Sequence, residues 1–265
     1  MHRLMPYIRA ARIGAHIAYA LGLACIFPWF SRVRQRTTMQ HWSVKLLNIL
    51  NVEMHARGQC IPRHRLGQLI VANHVSWLDV FVINANTPAR FVAKSEVGAW
   101  PLLGWLVRRS GTLFIRREFR RDTARTTHVV TNCLQSGEPV AVFPQGTSTD
   151  ASQPVHFHSA MVQAAIDARA TVQPLSISYH DDEGRALHQV SFTGEMTFMA
   201  SLWQIVSLPR IHVNAVYLEE LECNDMNRRE IAQRAQLGVN AVLANSDLGV
   251  HWVADKSVTT RLKEA

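Results

Sequence analysis

The sequence predicts an α/β fold, with a mixed, largely parallel sheet flanked by helices and a helical hairpin in front of it. Two observations carry that reading. From about residue 52 onward, short apolar runs alternate with segments of helical periodicity, the pattern of strands joined by crossover helices. Before that point, Ile13 to Phe30 is a stretch without a formal charge, long enough to reach the lower limit for crossing a bilayer. We therefore divide the chain into a hairpin over residues 1–50 and a sheet-bearing unit over residues 51–265.

Composition supports this division and removes other classes. The chain has 265 residues, 48% of them hydrophobic, with 13 Gly and 10 Pro. That suffices for a full core and excludes collagen-like, low-complexity and disordered classes. Cys25, Cys60, Cys133 and Cys223 are far apart and form no Cys-x-x-Cys pair. A disulfide scaffold or zinc ribbon is thereby disfavoured, and a reducing compartment fits. The net charge of +8 is uneven: residues 1–125 carry 17 Arg and 2 Lys against 5 acidic residues, and residues 126–265 carry 7 Arg and 2 Lys against 15. A basic first half rich in arginine forks points to an anionic partner, whether nucleic acid, phospholipid headgroup or phosphorylated small molecule.

In the hairpin, Arg3, Arg9 and Arg12 precede the apolar stretch, and Arg32, Arg34 and Arg36 follow it. Three arginines on each side give no orientation for a single span. They fit a helix lying in, or dipping into, one leaflet with its arginines on anionic headgroups. A second helical pattern follows, with Trp42, Leu46, Leu47, Ile49 and Leu50 on one broad face. The expected association is with a membrane, at its cytoplasmic face.

In the remainder, strands are expected at Gln68–Ala72, Arg90–Ala93, Thr112–Ile115, Pro139–Phe143, Val172–Tyr179, Val190–Thr193 and Ile211–Tyr217. Helices are expected at Ser76–Ala85, Leu102–Val107, Asp122–Gln135 (closed at Gly137), Ser159–Ala168 and Asn227–Leu243. Trp100, Trp105, Trp203 and Trp252 read as core or interfacial packing rather than as ligand contacts.

Three segments carry chemistry. In VANHVSWLDVF, His74 and Asp79 follow a strand. Five residues span about 140° on a helix, so the two meet only if His74 sits in the strand-to-helix turn. A carboxylate-held imidazole is a general base. Ser76-x-x-Asp79 is equally a capping-box spacing, which accounts for the aspartate on structural grounds alone. In GTLFIRREFRR, a strand after Gly111 ends in Arg116 and Arg117, which offer forked donors to a phosphate or else form a solvated basic surface. In AVFPQGTSTD, a strand runs into Phe143, Pro144, Gln145, Gly146 and Thr147. That turn has donors for an oxyanion or a substrate hydroxyl, and also the composition of an ordinary Pro/Gly turn. No nucleophilic serine or cysteine motif and no metal-ligand motif is present. His156 and His158 lack partners with zinc-site spacing.

Taken together and in this order, these segments resemble the glycerolipid acyltransferase family, whose best-known members are 1-acyl-sn-glycerol-3-phosphate acyltransferases. Asn73-His74 with Asp79 resembles the family's N-H-x4-D motif. Gly111, Phe114, Ile115 and Arg117 resemble G-x-x-F-I-x-R, and Phe143, Pro144, Gly146 and Thr147 resemble F-P-E-G-T. Val172-Gln173-Pro174-Leu175 resembles the fourth motif, and FVAKSEV followed by Gly104 resembles the connection between the first two. The resemblance implies that His74 deprotonates an acceptor hydroxyl, which attacks a fatty acyl thioester of coenzyme A or acyl carrier protein. Asp79 would orient His74, Arg116 and Arg117 would hold the acceptor headgroup beside Gly111, and the Phe143–Thr147 turn would position the acceptor. It implies no permanently bound cofactor and no metal. The implied partners are the bilayer, a lysolipid and an acyl carrier protein, with no nucleic acid. Gln145 stands where the motif has glutamate, and Ser148 where a basic residue often follows the threonine. The FPQGTSTD loop is also similar to lyso-ornithine lipid acyltransferases, which adds an amino-acid lysolipid as a second acceptor class. Hydrolysis or transacylation is a second enzymatic reading, and a non-catalytic lipid-binding protein that keeps the fold is a third.

Overall fold

Fifteen helices and strands in the computed structural model account for most of residues 4–58, 67–115, 120–150, 154–224 and 226–246, which are the residues it describes. The strands are β1 (Val52–Gly58), β2 (Gln68–Ala72), β3 (Arg90–Lys94), β4 (Leu113–Ile115), β5 (Val140–Val142), β6 (Thr171–His180) and β7 (Ile211–Tyr217). The helices are α1 (Met5–Ile26), α2 (Arg32–Ile49), α3 (Leu78–Asn86), α4 (Leu103–Arg109), α5 (Arg120–Gln135), α6 (Val162–Ala168), α7 (Phe198–Ser207) and α8 (Arg228–Ser246). One sheet runs in the order β1-β7-β6-β2-β5-β3-β4. Its pairs are parallel except β6 with β7.

The strand sequences explain this sheet. β2 reads QLIVA and is buried at every position, as expected of a central strand covered on both faces. Its side chains alternate between two cores, because successive residues point to opposite faces. Ile70 and Ala72 join one core with residues of α2, α3 and α7, while Leu69 and Val71 join the other with α5, α6 and α8. Leu69, Ile70, Leu78, Ile177 and Ile231 are all 0% exposed; each contributes roughly 1.5–3 kcal/mol of burial.

The N-terminal hairpin is present: α1 and α2 are joined by a 3-10 turn at Phe27–Trp29. On α1, Arg9, Ile13, His16, Ala20 and Ala24 form the buried stripe, with the i, i+4, i+7 spacing of one helix face. The opposite face is also apolar, with Leu4, Tyr7, Ile8, Tyr19 and Ile26 exposed. From Met5 to Trp29 the segment is long and apolar enough to cross a membrane by length and composition. His16 stacks on Trp42 of α2 at 4.5 Å, and each residue bonds the other's backbone carbonyl oxygen, at 3.0 and 3.4 Å. From α2, Leu46, Leu47, Ile49 and Leu50 enter the same core as Ile70.

Several expectations need correction. The flanking arginines do not all face headgroups. Arg9 is only 7% exposed, and its guanidinium donates to the carbonyls of Val206 (3.1 Å), Leu208 and Pro209 (2.9 Å). It thereby caps the C-terminal end of α7, where carbonyls lack partners and a cation is favoured. Arg32 pairs with Glu138 at 3.1 Å, and Arg36 donates to the Gly137 carbonyl at 3.1 Å. Arg12 and Arg34 are exposed, and Arg3 lies outside the described residues. Val190–Thr193 is not a strand; a 3-10 turn occupies His188–Val190, and Phe192 N–H bonds Val75 O at 2.9 Å. β1 and α7 have no counterpart among the expected elements.

Candidate active site

Parallel strands deliver the sequence motifs to one edge of the sheet. β2, β5, β3 and β4 are successive neighbours, so the segments that follow them emerge side by side at the carboxyl ends, where open α/β sheets build their sites. His74 lies just beyond β2 and the Phe143–Thr147 turn beyond β5. Arg116 and Arg117 follow β4 in sequence but lie outside the described residues.

His74 occupies the turn, and Asp79 sits in the first turn of α3. Nδ1 of His74 is 2.8 Å from Oδ2 of Asp79. A carboxylate only accepts, so Nδ1 carries the proton and Nε2 keeps its lone pair. The same Oδ2 accepts from the backbone N–H groups of Val75 (2.8 Å) and Ser76 (2.9 Å), and Oδ1 accepts from the Tyr179 hydroxyl at 2.6 Å. Four hydrogen bonds offset the cost of fully burying this carboxyl group. Burial and the adjacent Asp79 charge push the Tyr179 phenol well above its usual range, so it remains a donor.

The capping-box reading and the catalytic geometry therefore coexist. Asp79 does bond back to the Ser76 N–H, as the box requires. The reciprocal half is missing among the described residues: α3 starts at Leu78 without a side-chain cap, and the buried Ser76 hydroxyl has no hydrogen-bond partner among them.

The β5 turn holds His74 from the other side. The Phe143 ring stacks on the imidazole, with centroids 4.0 Å apart and planes 13° from parallel. Gln145 Oε1 accepts the His74 backbone N–H at 2.6 Å, its Nε2 donates to Thr149 Oγ1 at 3.2 Å, and Thr149 N–H donates to His74 O at 2.9 Å. Gln145 thus braces the two loops and does not line the cavity. Gly146 has φ +83°, a backbone conformation that favours glycine, and its N–H closes the turn onto Phe143 O at 3.1 Å. Pro144 accepts from His158 N–H at 3.1 Å, and the Ser148 hydroxyl donates to Phe192 O. Gly111 has φ +84° and lies between two cavity residues, Ser110 and Thr112.

An open cavity of about 560 Å³ has His74 in its lining. Phe143, Gly146, Thr147 and Ser148 line it near the imidazole. Ile13, Ile17, Ala20 and Ala24 of α1, Met39, Trp42 and Leu46 of α2, and Trp77 and Phe81 of α3 supply apolar wall. Trp100, Leu103 and Leu106 line it as well, and Trp100 packs against Phe198 with ring centroids 5.7 Å apart. Trp252 lies outside the described residues. Gly104 backs that wall: a Cβ there would stand 2.4 Å from Gly98 O, a contact only glycine avoids. Polar groups are few, among them Lys94, Glu96 and Arg109. The arrangement is a predominantly apolar cavity with the carboxylate-held imidazole of His74 in its lining, the composition of sites that bury apolar ligands. Lys94 lies in the FVAKSEV connection; Arg109 and Tyr179 carry no motif signal, and Tyr179 lies 100 residues from the carboxylate it bonds.

Comparison with known proteins is consistent with this geometry. The family model described as Acyltransferase matches residues 52–178. A lyso-ornithine lipid O-acyltransferase from Pseudomonas aeruginosa is 35% identical over 251 residues, covering 92% of this chain and 95% of that protein. A 1-acyl-sn-glycerol-3-phosphate acyltransferase from Neisseria gonorrhoeae is 33% identical over 197 residues, covering 73% of this chain and 76% of that protein. The crystal structure of a 1-acyl-sn-glycerophosphate acyltransferase from Thermotoga maritima superimposes with a TM-score of 0.70 at 19% identity, over 95% of this chain and 99% of that one. That last likeness concerns the fold, including its helix-flanked, mostly parallel sheet.

Proposed function

The chain belongs to the acyltransferase family, and from that premise we propose that it moves a fatty acyl group from a thioester of coenzyme A or acyl carrier protein to the hydroxyl of a lysolipid. The observation that carries the reading is the His74–Asp79 pair beside a predominantly apolar cavity that His74 lines. Nε2 of His74 takes the proton of the acceptor hydroxyl as its oxygen attacks the thioester carbon. Asp79 holds the tautomer and stabilises the imidazolium. The tetrahedral intermediate collapses with loss of the thiolate, which recovers the proton from Nε2. An ester forms, a thioester breaks, and no permanently bound cofactor is needed. Thr147 supplies its N–H and hydroxyl as donors to the developing oxyanion, and the fatty chain occupies the cavity walled by α1, α2 and α4. Arg116 and Arg117 hold the acceptor headgroup.

The acceptor is a lysolipid of the 1-acyl-sn-glycerol-3-phosphate type in phospholipid biosynthesis or a lyso-ornithine lipid. Ser148 favours the second, because it ties its hydroxyl to Phe192 O where a phosphate-binding cation would otherwise stand. The outward apolar face of α1, with exposed Met199 and Trp203 of α7 beside Tyr7, rests in the lipid at the cytoplasmic side of the membrane. The test is acyl transfer by purified protein from labelled acyl-CoA or acyl carrier protein thioester to a panel of lysolipids. Product from one acceptor, lost in His74→Ala, supports the reading. A folded, liposome-binding protein that transfers nothing overturns it in favour of a non-catalytic lipid binder.

A further inference from the structure

The edge pair β1 and β7 carries a second constellation. Ile211, Val213 and Ala215 of β7 point into the core shared with α1, α2 and α3. The alternate residue His212 therefore points to the opposite face, away from the acyl slot. Glu53 is its register partner on β1, and His55 lies two residues further along the same face. Nδ1 of His212 lies 3.4 Å from Nε2 of His55, and the Glu53 carboxylate lies 3.7 Å from His55 Nε2 and 3.9 Å from His212 Nδ1. Among the described residues these form one triad whose ligand atoms all fall within 4.8 Å of one another.

Two features distinguish this triad from a chance surface cluster. Ligand atoms on a tetrahedral ion with bonds of about 2.0–2.1 Å stand about 3.3 Å apart; the imidazole nitrogens, 3.4 Å apart, meet that spacing, and Glu53 offers Oε1 to His55 at 3.7 Å and Oε2 to His212 at 3.9 Å, so its carboxylate turns inward when an ion binds. The second feature is Asp182, whose Oδ1 sits 2.9 Å from Nε2 of His212. A carboxylate there accepts the Nε2–H hydrogen bond, which directs Nδ1 toward His55 and Glu53. That carboxylate–histidine relay is how proteins orient imidazole ligands. Arg210 lies 4.0 Å from Glu53 and 3.7 Å from Asp182, beyond hydrogen-bond distance from both, so it balances their charge without occupying their lone pairs.

We propose that Glu53, His55 and His212 bind a divalent transition-metal ion of the zinc type, with water in the fourth position and Asp182 orienting His212. Two imidazoles and one carboxylate suit zinc rather than magnesium or calcium. The ion joins residues 157 positions apart and clips the edge strand β1 to β7, a cross-link of the kind that restrains long loops. It takes no part in acyl transfer.

The experiment uses the full chain without an affinity tag, in detergent, stripped with a chelator and titrated with Zn²⁺ against a chromophoric competitor. The expected result is one tight ion per chain. Binding weakens on the order of 100-fold in His55→Gln and His212→Gln, and on the order of 10–100-fold in Asp182→Asn. Zn²⁺ should also raise the melting temperature of the wild type and not of His212→Gln. Asp182 is 52% exposed at its side chain, so its variant keeps the test valid if a histidine variant fails to fold. No retained zinc, or equal affinity in the wild type and all three variants, overturns the proposal.

Discussion

The Phe143 ring lies nearly flat on the His74 imidazole, 4.0 Å between centroids. The two residues follow neighbouring parallel strands, Phe143 after β5 and His74 after β2. Stacking fixes the plane of the imidazole while the Nδ1 bond to Asp79 fixes its rotation, leaving Nε2 one direction in which to point. That is preorganisation built from one hydrogen bond and one ring contact.

Removing the base should abolish the chemistry without loosening the slot. His74→Ala is expected to lower kcat by on the order of 10²–10⁴, with KM for the acyl donor little changed. Steady-state kinetics with labelled acyl-CoA make the measurement, and an unchanged kcat would remove His74 from the mechanism.

Tyr179→Phe leaves one oxygen of a fully buried carboxylate without its donor. The loss should cost about 1–3 kcal/mol of stability and reduce kcat through Asp79. The raised phenol pKa adds a sign that can be checked. Its folded-state value lies above the unfolded one, so its contribution is fully present below the ordinary tyrosine pKa of about 10 and is lost as pH rises beyond it. Melting scans above that pH should therefore fall more steeply for the wild type than for Tyr179→Phe.

Gln145 acts through the loop it braces. Gln145→Ala leaves the His74 N–H without its 2.6 Å acceptor, and kcat should drop on the order of 10-fold. Gln145→Glu keeps an acceptor for that N–H and should retain activity within a few-fold. The two variants falling equally would show that the amide contributes something other than the brace.

Ala20 and Ala24 face the slot from α1. A phenylalanine at either position fills space that a fatty chain would occupy, so Ala24→Phe should shift donor preference toward shorter chains. Competition between labelled thioesters of different length reads this directly, and an unaltered preference would place the chain elsewhere.

The sequence carried much of this arrangement, for identifiable reasons. β2, β3, β5 and the His74–Asp79 pair were legible because apolar runs and a strand–turn–helix place them locally. β1 is a different case: VEMHARG alternates apolar Val52, Met54 and Ala56 with polar Glu53, His55 and Arg57, the pattern of a half-buried strand, yet its small and charged side chains leave no apolar run to mark it. α7 has no counterpart in the sequence reading because a ten-residue, mostly apolar run such as FMASLWQIVS reads equally as a short helix or a buried strand. The Val190–Thr193 run has strand composition but no neighbouring strand to pair with. Arginine counting marked Arg9 as a lipid contact because a charge beside an apolar helix resembles a flank; only the fold shows the α7 carbonyls it satisfies. Contacts between residues distant in the chain, Tyr179 with Asp79 and His55 with His212, leave no local signal at all.

The Arg9 clamp on α7 gives α1 two obligations. One face walls the cavity beside His74 and the other is exposed and apolar, so an amphiphile that covers that outer face would act thermodynamically as a ligand of the folded state. Melting temperature and catalytic competence should consequently rise and fall together with the amphiphile supplied, as properties of a protein–lipid assembly rather than of the polypeptide alone.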